Sequence, residues 1–153
     1  MNTNEIFDTL VLELRTMHNE SLIRIEEEFP ENNNGYRTFR IKYDQELEGR
    51  GRRTAQIHIT LYQGNLSVNH YFFINSHPFP LPFPFQDPFV LHHLRETFRE
   101  WVLHALTLPH HEREANFQAY LRRRMYFYAV ARRLVSRLPV PLEVGTNIKR
   151  FLK

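Results

Sequence analysis

Four prolines, Pro78, Pro80, Pro82 and Pro84, stand at every second position of the stretch HPFPLPFPFQDP. Proline locks φ, has no N–H to donate and clashes with a preceding helical turn, so this spacing excludes a helix and a central strand. The stretch has to be extended. Its Phe79, Leu81, Phe83 and Phe85 are too apolar for a solvated linker, and large exposed apolar patches are rare on soluble domains. Residues 75–87 therefore read as a strap that supplies no ladder hydrogen bonds and packs across the helices or the sheet edge. A docking peptide for an aromatic groove is the other use of such a stretch, but a PxxP spacing with flanking basic residues is not cleanly met.

The residues before the strap carry a helix and four strands. Asn2 with Glu5 has the spacing of a capping box. Ile6, Leu10, Leu14 and Met17 follow as one apolar stripe at helical period, with Phe7 and Val11 beside it. This helix should end near His18–Ser21. Residues 21–74 then alternate as strands do. Ile23, Ile25 and Phe29 share one parity, as do Phe39, Ile41 and Tyr43. PENNNG between them reads as a turn. Ala55, Ile57, Ile59 and Leu61 point one way, with Gln56, His58, Thr60 and Tyr62 the other. Leu66, Val68, Phe72 and Ile74 complete the inward set. Polar residues at the alternate places imply an antiparallel sheet with one wet face. Gly64-Asn65 is a two-residue hairpin signal. It predicts Leu61 opposite Val68, Ile59 opposite His70 and Ile57 opposite Phe72.

After the strap, Asp87 as N-cap and Pro88 at the first helical position open a second helix. Its stripe is Val90/Leu91, Leu94, Phe98, Trp101/Val102 and Ala105, and Pro109 ends it. A third helix spans about 112–138, with Phe117, Tyr120/Leu121, Phe127/Tyr128, Ala131, Leu134/Val135 and Leu138 on one side, interrupted by Arg124. At about 100° per residue, Arg122, Tyr126, Arg133 and Arg137 fall on the other side. Residues 139–153 are a short basic tail. The fold class is α+β: an N-terminal helix, a four-stranded antiparallel meander, a Pro-rich strap, and two C-terminal helices packed on one sheet face. All 153 residues form a single domain.

This order of elements resembles the RWD and ubiquitin-conjugating-type domains over most of the chain. The resemblance lies in element order alone. The chain has no cysteine, so the catalytic cysteine of conjugating domains has no counterpart, and no site residue is carried over.

The lack of cysteine also excludes disulfides, thiolate metal sites and cysteine nucleophiles. No run of about 18 apolar residues is present to span a membrane, and MNTNEIFDTL lacks the basic start and apolar core of a signal peptide. An intracellular protein, cytoplasmic or nuclear, is expected. Nine histidines suggest a metal, but no HExxH pair occurs and His92-His93 and His110-His111 are adjacent, so no metal or other cofactor is expected. No GxSxG elbow and no phosphate-cradling loop are found.

Charge is segregated. Residues 1–48 carry 5 Lys+Arg against 11 Asp+Glu, and residues 49–153 carry 15 against 6. Arginine supplies 17 of the 20 basic residues, and its planar fork suits phosphate and carboxylate oxygens. Arg50, Arg52 and Arg53 form a basic hairpin tip with Gly49 and Gly51. Arg122, Arg133 and Arg137 with Tyr126 form a helix face, and Lys149, Arg150 and Lys153 lie in the tail. On one side of the molecule they would make a nucleic-acid footprint. The expectation is a non-enzymatic protein binding RNA or single strands. The alternative is a protein-interaction or assembly module, forming homo-oligomers or meeting an acidic protein partner. A third reading is a small enzyme using His58 and Tyr71 on the wet sheet face. His70, inward, reads as a core histidine making one hydrogen bond.

Overall fold

The computed structural model describes residues 1–33, 36–47, 51–74, 77–107 and 110–137. Within these elements, side chains are described outside 26–31, 33, 44–54, 72–79 and 104–111. Helix α1 (Thr3–Asn19) leads into strands β1 (Arg24–Asn33), β2 (Tyr36–Leu47), β3 (Gly51–Tyr62), β4 (Asn65–Ile74) and β5 (His77–Pro82). Helices α2 (Pro88–His92), α3 (Leu94–Thr107) and α4 (His110–Arg137) follow. The five strands form one antiparallel meander in the order β1-β2-β3-β4-β5.

Helix α1 forms as its caps dictate. Asn2 Oδ1 accepts from Glu5 N–H at 2.9 Å, and Asn2 Nδ2 donates back to Glu5 Oε1 at 3.1 Å. At the other end Ser21 takes a left-handed φ of 62°. Its N–H donates to His18 O, and Leu22 N–H reaches Met17 O at 3.0 Å, closing a Schellman turn. Ile6, Leu10, Leu14 and Met17 are all buried against the sheet. Glu13 is buried too, its Oε1 accepting from Arg99 Nε on α3 at 2.7 Å.

The sheet has five strands rather than four. The Pro-rich segment is not a strap without a ladder; it is the edge strand, with Leu81 opposite His70 and Pro80 opposite Tyr71. In an antiparallel pair the N–H groups that face the neighbour recur at every second residue. Phe83 N–H, at one such place, donates to Val68 O at 2.9 Å. The prolines fall at the intervening places, where the missing donor would have faced solvent.

The β3–β4 turn lies one residue earlier than Gly64-Asn65. Gln63 (φ 49°) and Gly64 (φ 80°) both take positive φ, as a type I′ hairpin demands. Ile59 therefore meets Val68, Ile57 meets His70 and Leu61 meets Leu66. The segment PENNNG is not all turn, because β1 continues to Asn33 opposite Tyr36. A bulge between Ile25 and Glu27 breaks the shared parity of Ile23, Ile25 and Phe29, and Phe29 pairs with Arg40.

All helices lie on the face that carries Phe39, Ile41, Tyr43, Ile57, Ile59 and Val68. The second expected helix is divided at His93, whose φ of −114° and ψ of 45° leave the helical range. The Thr97 hydroxyl donates to His93 O at 2.7 Å across this break. Trp101 and Phe98 of α3 fill the centre of the core, and Phe83 sits on both rings with centroids at 5.1 and 5.3 Å.

Candidate nucleic-acid interface

Helix α4 is 28 residues long, yet its buried side chains, Arg113, Phe117 and Leu121, all lie in its first half. From Arg122 to Arg137 no side chain is buried. The distal half is held to α2 and α3 by a polar and aromatic seam. Arg124 pairs with Glu96 and reaches Tyr128 Oη at 3.2 Å. The Tyr128 ring lies 4.4 Å from His93 and 5.8 Å from Phe89. Burial pushes the Tyr120 hydroxyl, two turns earlier, up to about 12.

Arg122, Tyr126, Arg133 and Arg137 are all exposed on the side of α4 away from this seam, Tyr126 at 73%. Their span is about 22 Å along the axis at 1.5 Å per residue. Among the described residues, Arg122, Arg123, Arg133 and Arg137 have no carboxylate partner. Residues 115–137 contain six arginines and no Asp or Glu. Beside this basic face Phe127 and Leu134 are 60% and 58% exposed. Periodicity puts these two apolar residues on the packed stripe, and the structure leaves them in solvent.

The other basic segments lie largely outside the described residues. Arg52 and Arg53 belong to strand β3, opposite Glu46 and Gln45, rather than to a loop tip. Their side chains, and all of Arg50, Lys149, Arg150 and Lys153, lie outside the described residues.

The outward sheet face holds His58 and Tyr71, with ring centroids 4.5 Å apart and planes at 49°. They are diagonal neighbours, since His58 pairs with Asn69 and Gln56 with Tyr71. His58 Nε2 donates to Gln56 Oε1 at 3.1 Å. Burial and the Arg40 guanidinium hold the His58 ring below the usual histidine range. An acid–base pair needs a proton acceptor poised against a reacting group; an amide oxygen orients the ring and does not activate it.

His70 is inward and fully buried, and Tyr43 Oη lies 2.8 Å from its Nε2. Its ring packs on Trp101 at 4.1 Å. Burial and Arg113 on α4 push its pKa well below the ordinary value, and burial drives the Tyr43 hydroxyl far above its own. Both are neutral core groups. Tyr43, Arg113 and Trp101 could not be joined to His70 by spacing, because they come from four separate elements.

Among the described residues no group of three His, Asp or Glu is placed to hold a metal ion, and no helix is long and apolar enough to cross a membrane. Compared with known proteins, the chain matches no family model, no curated sequence and no solved structure.

Proposed function

We propose that this is a non-enzymatic binding protein for single-stranded nucleic acid, RNA in the first place, engaged by the distal half of α4. The observation that carries the reading is the exposed face of Arg122, Tyr126, Arg133 and Arg137 on a segment with six arginines and no acid. Guanidinium forks suit phosphate oxygens, and the Tyr126 ring offers a face for an unpaired base. The test is fluorescence anisotropy of a labelled ten-nucleotide uridine RNA over a salt series. Affinity should fall steeply with salt. The double variant R133E/R137E should weaken binding at least tenfold and reduce the logarithmic salt slope by about 1.4, or ~0.7 per lost contact. No binding at low salt, or salt-independent affinity, overturns the reading.

A second reading is supported by Phe127 and Leu134, exposed seven residues apart on one side of α4 with Val130 between them. This is the anchor spacing of a helix that docks on a protein. Under it, F127A/L134A changes the oligomeric mass, while R133E/R137E leaves oligonucleotide binding at background.

A further inference from the structure

We infer that the strip of α4 formed by Phe127, Val130 and Leu134 docks an acidic amphipathic helix of a partner protein, whose apolar ridge it receives and whose carboxylates meet Arg123, Arg133 and Arg137. This rests on the docking reading of Phe127 and Leu134 and names the partner's chemistry. It does not require that RNA bind beside it.

The strip itself is the first argument. At about 100° per residue its three side chains fall within about 60° of one another around the helix. Phe127 and Leu134 are exposed and Val130 is half-buried. The strip lies roughly 100° round the helix from Arg124 and Tyr128, which face α2 and α3. Large apolar side chains left in solvent as a group mark an interaction site. Anchors at i, i+3 and i+7 suit a second helix laid along the first, its own side chains filling the gaps between them.

The charges around the strip are the second argument. Arg123 stands one turn before Phe127, Arg137 one turn beyond Leu134, and Arg133 one turn beyond Val130 along the edge. All three are exposed, and none has a carboxylate partner among the described residues. Residues 115–137 supply no Asp or Glu, and Glu96, which meets distal α4 from α3, is engaged by Arg124. The distal half of a second α4, laid on the strip in either direction, would bring arginine against arginine, and like charges at short range repel. A nucleic acid suits the strip no better, since valine and leucine offer a base neither a hydrogen bond nor a ring face. A helix with leucines along one side and glutamates beside them supplies both missing complements. Its apolar ridge leaves water against Phe127 and Leu134, and its carboxylates accept from the guanidinium forks.

The probe is a fluorescein-labelled synthetic helix of about 18 residues, five turns, with leucines at i, i+3 and i+7 flanked by glutamates. One control scrambles the same residues so that the leucines share no side, and another has lysine for each glutamate. Binding to the full chain is read by anisotropy. The acidic helix should bind and both controls should not. F127A/L134A should weaken the acidic helix about tenfold or more, as loss of central anchors does, with its salt dependence unchanged. R133E/R137E should lose the acidic helix and gain the lysine helix, a reversal that an unfolded variant does not give. A benzoylphenylalanine placed in the acidic helix should cross-link the unsubstituted protein within residues 123–137. Equal binding of the scrambled peptide means attraction by charge alone and overturns the inference. A mass that rises with concentration in sedimentation, and falls back in F127A/L134A, puts a second copy on the strip. That result overturns the partner named here and leaves the docking reading standing. No peptide binding and no change of mass overturn the docking reading as well. Uridine-RNA binding that F127A/L134A weakens, without peptide binding, assigns the strip to RNA and overturns both.

Discussion

Helices α1 and α4 both carry apolar residues at helical period, sharply segregated in α1 and interrupted by Arg124 in α4, and they end in opposite conditions. In α1, Leu10, Leu14 and Met17 reach 0% exposure, and a buried carboxylate ties the helix to α3. In α4 the same kind of stripe is buried only as far as Leu121, and Phe127 and Leu134 stand in solvent. A period of 3.6 residues says which side of a helix would face a core. It does not say whether a core is there to be faced. α1 lies across the sheet, whereas among the described residues the second half of α4 is received by Phe89, His93 and Glu96, on and between α2 and α3.

The comparison can be broken most directly by truncating both stripes. L14A should cost about 3 kcal/mol in urea unfolding, while F127A should stay within about 0.5 kcal/mol. Equal costs would mean that distal α4 is packed. Acid should act next, through His70. Its folded pKa is depressed, so below the unfolded value near 6.5 the unfolded chain binds the extra proton. Stability should therefore be flat above about pH 6.5 and fall as the pH drops below it, and H70Q should flatten that fall in pH-dependent unfolding.

The polar ties of the two helices give smaller effects. E13A removes a carboxylate that is itself buried, and a loss of about 1.5 kcal/mol is expected; Arg99 keeps its 2.9 Å contact with Glu20, which limits the damage. R124A breaks an exposed pair with Glu96, and about 0.5 kcal/mol is expected. Hydrogen exchange would sharpen the contrast. R124A should speed exchange in Arg122–Arg137 and leave α1 unchanged. Faster exchange spread over both helices would show that α4 is coupled to the core along its whole length.

What the sequence disclosed depends on whether the deciding partner was local. The capping of α1 by Asn2, the entry of α2 at Asp87-Pro88 and the azimuth of Arg122, Tyr126, Arg133 and Arg137 are local matters, and they stand as read. The hairpin turns one residue earlier than Gly64-Asn65 implies because Gln63 accepts a left-handed φ that its type does not favour. The face lists survived, since moving the turn by one residue shifts both strands together and keeps inward opposite inward. The bulge in β1 left no mark in a run of three glutamates. The Pro-rich segment pairs as an edge strand because prolines at every second place leave every ladder-facing donor intact, which a single proline at an arbitrary place would not. The buried positions of Glu13 and Arg113 depend on residues far along the chain, and no spacing announces them.

The prolines of β5 have one more consequence. An extended peptide that joins a sheet as an extra strand is held by main-chain donors on the open edge. Along β5 every second donor is missing, at Pro78, Pro80 and Pro82, and those are the ones that would have met the newcomer. The opposite edge, β1, is bent by its bulge and carries Pro30. The main chain of this sheet is thus closed to company at both borders. Whatever it recognises has to be read by side chains, and a change of partner in such a scaffold can proceed one surface residue at a time without redrawing the fold.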